Sequence, residues 1–256
     1  PLIHTLNLSH LMPLSSVWAG PEQNEHLNGP PLLYAETTGS TPFRFSTHVG
    51  DVGPMLVVGP TGAGKSVLLS LMAMQFRRYE GSQVYIFDKG KSARAVTLAM
   101  GGAHHELGSA GALAFQPLAH IDRDAERSWA ADWIAGLLDH EKVTVTPEIK
   151  EQVWAALNSL ATAPQAERTL TGLSLLLQSN ALRSALRPYT LEGPFGQLLD
   201  AAQDSLALKD VQCFETEALM HQTAVVPPVL TYLFHQLDER FDGRTTLLIL
   251  DERWEE

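Results

Sequence analysis

The segment GPTGAGKS, residues 59 to 66, constrains the fold more than any other stretch of the chain. It sets Gly59, Gly64, Lys65 and Ser66 at the spacing GxxxxGK(S/T), which belongs to one structural setting: an apolar strand, a tight loop, then a helix. Both flanks fit. MLVVG, residues 55 to 59, is a continuous apolar run of the kind buried on both faces of a parallel sheet. KSVLLSLMAMQFRRY reads as a helix ended by Gly81. The physical need is plain. A triphosphate packs several negative charges into a small volume, so successive backbone N–H groups must turn inward to meet it. Glycine permits that turn, and the start of the following helix points its positive end at the phosphates. On this reading Gly59, Pro60, Thr61, Gly62, Ala63, Gly64, Lys65, Ser66 and Val67 line a nucleotide site. Lys65 reaches the β- and γ-phosphates, and Ser66 Oγ ligates Mg²⁺. A nucleoside triphosphate and Mg²⁺ are therefore the expected cofactors.

A second signal lies near the other end. In LLILDE, residues 247 to 252, four apolar residues form a buried central strand that delivers Asp251 and Glu252 to its carboxyl edge. Ligands of open α/β sheets sit at that edge. Asp251 is expected to hold Mg²⁺ through its water shell, and Glu252 to polarise an attacking water as general base. A strand ending in two acids is weak evidence alone; beside a phosphate loop it points to hydrolysis. A third signal is Asp88 with Lys89 after the strand QVYIFD. Strands of such sheets end near one crevice, so either Asp88 or Lys89 could face the γ-phosphate, with Asp88 the candidate for the site, against the plainer reading of a solvated charge pair in a turn.

The rest of the chain supports an α/β fold. LLYAET and FRFSTHV, separated by Gly39, Ser40 and Pro42, predict a hairpin over 32–37 and 43–49. Residues 1 to 30 read as a linker or the edge of a preceding domain, with Trp18 as an apolar anchor. The middle is helical. Trp129, Trp133, Ile134 and Leu137 share one face over 122–141, and Ile149, Val153, Trp154, Leu157 and Leu160 share another over 147–161. Thr146 and Pro147 open the second of these helices. The tryptophans are read as core anchors. TGLSLLLQSNALRSAL reads as one more helical stretch ended by Pro188, EGPFGQLLD as a turn-rich connector, and DVQCFET as a strand. PPVLTYLFHQLDERF reads as a proline-started helix.

With 256 residues, 45% of them hydrophobic, the chain suffices for one large α/β domain or for a core domain with an inserted subdomain. The formal net charge of −11 repels a phosphate backbone on average, which weighs against tight non-specific nucleic-acid binding. Arg183 and Arg187 are read as a solvated helix face rather than a basic patch. A single cysteine, Cys213, excludes a disulfide framework within the chain and reads as a small core residue. His104 and His105, being adjacent, are poorly placed for one metal ion. No stretch reaches the roughly 18 uninterrupted apolar residues of a membrane span.

Several blocks resemble the conjugative-transfer ATPases of the TrbE type, the large motor ATPases of type IV secretion systems. They are GDVGPMLVVGPTGAGKSVLL, TPFRFSTHVGDVG, YIFDKGKSARAVTLAMGG, ERTLTGLSLLLQSNALR, PYTLEGPFGQLLD, FETEALM and VLTYLFHQLDERFDGRTTLLILDE, together covering about residues 5 to 252. The resemblance implies a RecA-like P-loop fold over 31–252, with a mainly parallel sheet and a helical insertion at about 120–205. It also implies a homo-oligomer, expected to be a hexamer, on the cytoplasmic side of the inner membrane. There it would contact inner-membrane proteins of the secretion channel and power pilus assembly and substrate transfer. A nucleotide-binding assembly scaffold and a direct DNA translocase remain alternative readings, with DNA contact left open. The chain departs from the family pattern at Pro54, where the family has His. It departs again after Glu252, where an Ala-Trp pair and further strands are replaced by RWEE. Residues 253–256 are therefore expected to be a truncated or discontinuous tail, and no arginine finger is assigned.

Overall fold

The computed structural model describes residues 4–11, 18–39, 41–108 and 113–251. The chain divides into two compact units, Pro1–Val84 and Tyr85–Glu256.

In the first unit a short helix, α1 (Thr5–Leu11), precedes two strands, β1 (Leu33–Ala35) and β2 (Phe43–Phe45). The strands pair antiparallel, Leu33 opposite Phe45. The expected hairpin is there, with strands shorter than the runs that announced it. Trp18 meets Phe43 edge-on but is 70% exposed, so it anchors little. Helix α2 (Lys65–Phe76) buries Met72, Ala73 and Phe76. It stops at Phe76, ahead of Gly81, and its end is strapped to residues 30–32. Tyr79 donates to Pro30 O at 2.8 Å, and Arg78 Nη2 to the carbonyls of Pro31 and Leu32, both at 2.8 Å.

The strand expected over MLVVG is not formed. Residues 55 to 59 run as irregular backbone, with Leu56 86% and Val58 82% exposed. A parallel strand persists only when strands from distant parts of the chain bond to it. The two strands lying wholly in this unit pair with each other instead.

The second unit carries a four-stranded sheet in the order β4-β5-β3-β6. Its strands and helices follow in sequence: β3 (Gln83–Asp88), which spans the unit boundary, α3 (Arg94–Ala99), β4 (Ala103–Glu106), α4 (Asp124–His140) and α5 (Pro147–Leu160). Next come α6 (Leu170–Leu176), α7 (Asn180–Leu186), α8 (Gly196–Leu199), β5 (Val211–Glu215), α9 (Glu217–Met220), α10 (Val226–Asp238) and β6 (Thr246–Leu250). β4 and β5 pair in parallel, Ala103 opposite Gln212. The Thr216 N–H reaches Asp88 O at 2.9 Å and the Asp251 N–H reaches Phe87 O at 2.9 Å. The carboxyl ends of β5, β3 and β6 therefore lie side by side, as a RecA-like parallel sheet requires.

β3 and β5 are buried along their whole lengths, as inner strands of near-continuous apolar sequence should be. β6 departs from the expectation of a central strand. Among the described residues it is the sheet edge, with Ile249 buried but Leu248 37% and Leu250 50% exposed.

The main core lies where the helices cover the sheet. Phe87 packs against Phe214 and Phe234, ring centroids 5.1 and 5.0 Å away. Ile134, Leu138, Leu157, Leu173, Leu186 and Leu233, from five helices, are fully buried in the same cluster. Thr146 caps α5 as expected: its side chain accepts from the Ile149 N–H at 3.4 Å, with Pro147 at the first turn. Trp133 is buried and donates to Pro228 O at 3.0 Å. Trp154 corrects the core-anchor reading, being 38% exposed with the Arg127 guanidinium 5.5 Å over its ring. The single stretch expected at residues 171–186 is two helices. The chain is extended at Leu177 and Ser179, and the Ser179 hydroxyl caps α7 by accepting from the Leu182 N–H at 3.5 Å.

Candidate functional site

The phosphate loop keeps the geometry its glycines permit. Gly62 and Gly64 have φ of 81° and 89°, in the left-handed region, and a Cβ built on either meets no atom within 4 Å. Side chains are disfavoured there by backbone strain rather than by crowding, and the space over the loop is open to a ligand. Gly64 starts α2, accepting from the Leu68 N–H at 2.9 Å, and the first turn of α2 holds no acidic residue that would cancel its positive end. Within the loop the Ala63 N–H bonds Pro60 O at 3.2 Å. Lys65 Nζ folds back to donate to Gly59 O at 2.9 Å and Pro60 O at 3.0 Å, which keeps its ammonium over the loop. Pro60, Thr61, Ala63 and Val67 are exposed; Gly59 and Ser66 are half-buried. An exposed glycine-rich loop at the start of a helix, with an ammonium and a hydroxyl at its end, fits a phosphate chain and its Mg²⁺.

The acidic arm lies in the second unit. Asp251 follows β6 directly and is half-buried. Asp88 ends β3 and is fully buried. Both of its oxygens are committed to the turn that follows: Oδ1 accepts from Ser92 Oγ at 2.7 Å, and Oδ2 from the Ala93 N–H at 2.8 Å. The same Ser92 Oγ stands 3.3 Å from Asp251 Oδ2. One hydroxyl thus joins the carboxylates of two neighbouring strand ends. The turn is fixed from β5 as well, where buried Glu215 accepts from the N–H groups of Gly90 at 3.1 Å and Lys91 at 2.6 Å. Lys89 is exposed at the start of this turn. Glu252, the expected general base, lies outside the described residues.

Sequence reasoning missed Ser92 and Glu215. The signal for Ser92 was present in DKGKS, an Asp followed four residues on by Ser across a glycine turn before a helix. Glu215 carried none for this turn, because the amides of Gly90 and Lys91 that it holds are more than a hundred residues away.

The weaker candidates lie elsewhere in the second unit. His104 and His105 are successive residues of β4, so they point to opposite faces, and His105 stacks on Phe214 at 5.7 Å. Burial pushes both imidazoles below their ordinary pKa, with Arg94 adding to the effect at His104 and His104 at His105. Among the described residues no group of three or more His, Cys, Asp or Glu is arranged to hold a metal ion. Cys213 is fully buried on β5, and burial pushes its thiol up to about 12. Arg183 and Arg187 are exposed, and Arg187 pairs with Glu192 at 3.5 Å.

Known proteins align with this chain over its whole length. It is 45% identical to a probable conjugal transfer protein TrbE of Sinorhizobium fredii, over 99% of this chain and 39% of that protein. It is 44% identical to conjugal transfer protein TrbE of Rhizobium radiobacter, over 99% of this chain and 32% of that protein. Identity to the type IV secretion system protein virB4 of Bartonella quintana is 26%, over 98% of this chain and 32% of that protein. The chain therefore spans between about a third and two fifths of the length of these relatives. Among solved structures, VirB4 of Thermoanaerobacter pseudethanolicus superposes with a TM-score of 0.55 at 18% identity, covering 76% of this chain and 59% of that one. No family model matches. The TrbE-type resemblance read from the sequence blocks holds from end to end, and the α/β, RecA-like fold with it.

Proposed function

We propose that this chain is the nucleotide-hydrolysing part of a conjugation or type IV secretion motor, an ATPase that binds ATP with Mg²⁺. One observation carries the reading: a loop with two left-handed glycines opens onto the start of α2 with Lys65 held over it. Lys65 would neutralise the β- and γ-phosphates. Ser66 and Asp251 would hold Mg²⁺, Ser66 directly and Asp251 through bound water. The ion supplies charge neutralisation of the phosphates when bound. Glu252 would orient and deprotonate the attacking water. Asp88 would face the γ-phosphate side in this reading, its carboxylate engaged by the turn it anchors.

The names of its relatives support a place in the transfer machine. A homo-oligomer, a hexamer by analogy, would work peripherally on the cytoplasmic face of the inner membrane beside the channel proteins, driving pilus assembly and substrate transfer. Among the described residues no helix is long and apolar enough to cross a membrane.

The test is ATP hydrolysis by the purified protein with and without Lys65→Ala. Turnover should fall by at least about 100-fold, since removal of one preorganised charge-stabilising donor costs that much. Unchanged ATP affinity and turnover in Lys65→Ala would remove the site assignment. ATP binding without turnover in the unaltered protein would favour the scaffold reading.

A further inference from the structure

Ser92 reaches the carboxylates of both Asp88 and Asp251 at the carboxyl edge of the sheet, and its position is over-determined. Asp88 Oδ1 takes its hydrogen bond at 2.7 Å, while Asp88 itself is held at its other oxygen by the Ala93 N–H at 2.8 Å. The backbone carbonyl of Asp88 is held too, by the N–H and hydroxyl of Thr216, both at 2.9 Å. Residues leading into Ser92 sit in left-handed conformations, Gly90 at φ 91° and Lys91 at φ 60°. For lysine that conformation is uncommon and persists when its surroundings enforce it. Here Glu215, 3% exposed, enforces it by accepting from both amides.

The arrangement makes Ser92 Oγ a fixed point 3.3 Å from Asp251 Oδ2. Asp251 follows a strand at the edge of the described sheet, and its backbone is tied to the sheet through its N–H on Phe87 O. Its carboxylate torsion is a broad, soft rotation. A neighbouring hydroxyl that is itself immobile narrows that rotation. Two negative groups beside one hydroxyl proton also repel each other, and a cation placed on Asp251 relieves that repulsion.

We infer that Ser92 is a positioning residue for Asp251: anchored on Asp88, its hydroxyl sets the orientation in which the Asp251 carboxylate meets the Mg²⁺ of the bound nucleotide. This rests on the reading of Asp251 as the Mg²⁺-holding acid. Groups that orient a metal-binding carboxylate from behind typically change metal affinity by tenfold or more when removed.

The experiment is equilibrium binding of Mn²⁺, followed by electron paramagnetic resonance, to the full protein saturated with a non-hydrolysable ATP analogue. Ser92→Ala should weaken Mn²⁺ by about 10-fold while leaving metal-free nucleotide affinity unchanged. Ser92→Thr, which keeps the hydroxyl, should recover most of the loss. In turnover assays Ser92→Ala should raise the Mg²⁺ concentration for half-maximal rate without moving the KM for ATP. Asp251→Asn separates the two levels of the argument. If it leaves Mn²⁺ affinity unchanged, the assignment of Asp251 fails and this inference with it. If Asp251→Asn weakens Mn²⁺ but Ser92→Ala does not, or if Ser92→Thr behaves as Ser92→Ala, the positioning role alone is overturned. Should Ser92→Ala unfold, Ser92→Cys keeps the size with a weak donor. It is then expected to lose Mn²⁺ affinity, and unchanged affinity overturns the role.

Discussion

At the residue scale the chain was most legible where one backbone conformation demanded one residue type. Gly62 and Gly64 adopt the left-handed conformations that the loop motif required, and Lys65 lies over the loop. Asp88 was visible as an acid at a strand end, but its commitment to Ser92 and Ala93 was not, because hydrogen-bond partners are a matter of rotamer and turn geometry. Cys213 was legible as a core residue, and its environment yields a prediction. Burial, with the charge of Asp88 adding to it, pushes the thiol from an ordinary 9.0 to about 12. The thiolate is the nucleophile, so the folded protein at pH 8 should react negligibly with an aromatic disulfide reagent and fully once denatured. The sign for stability follows. The unfolded thiol gives up its proton above about pH 9 while the folded one keeps it, so the contribution of Cys213 to stability is fully present below pH 9 and is lost as pH rises towards 12. Rapid labelling of the native protein at pH 8 would show that the site opens locally.

At the element scale, periodicity identified helices better than it identified strands. α4 and α5 appear within two residues of where their apolar faces placed them. The failures share a cause: the outcome depended on partners that a local window does not contain. MLVVG has the composition of an inner strand yet is not in one, and β6 has an inner strand's sequence at an edge. The stretch at 171–186 carries helical periodicity across Leu177–Ser179, but the Ser179 hydroxyl offers the backbone an alternative and a second helix begins. The α4–α5 pair provides a graded test. Leu157 is fully buried in the main core, so Leu157→Ala should cost about 2–5 kcal/mol, whereas Thr146→Ala, removing one cap bond, should cost about 1 kcal/mol. Chemical denaturation of both variants reads the two losses. Equal losses would mean that helix initiation, not core packing, limits this region.

At the scale of the whole molecule, charge separates the functional readings that fold cannot. A RecA-like domain serves equally as a DNA pump or as a motor acting on protein, and the described basic side chains give little help to the first. Arg183 and Arg187 are exposed but Arg187 is paired, and Arg123, Arg127, Arg168 and Arg244 each lie beside a carboxylate. With a net charge of −11, the chain should meet a DNA duplex with average repulsion. Non-specific binders normally reach dissociation constants of about 10⁻⁴–10⁻⁶ M at physiological salt and gain steeply as salt falls, because each neutralised phosphate releases counterions. This chain should therefore give no saturable duplex binding at micromolar protein even at about 50 mM salt, and no linear decline of log affinity with log salt. Anisotropy titration of a labelled duplex measures both. Saturable binding with a steep salt slope would mean that basic side chains are gathered at a surface formed only when copies of the chain assemble, and would replace the proposed substrate-transfer motor with a direct DNA translocase.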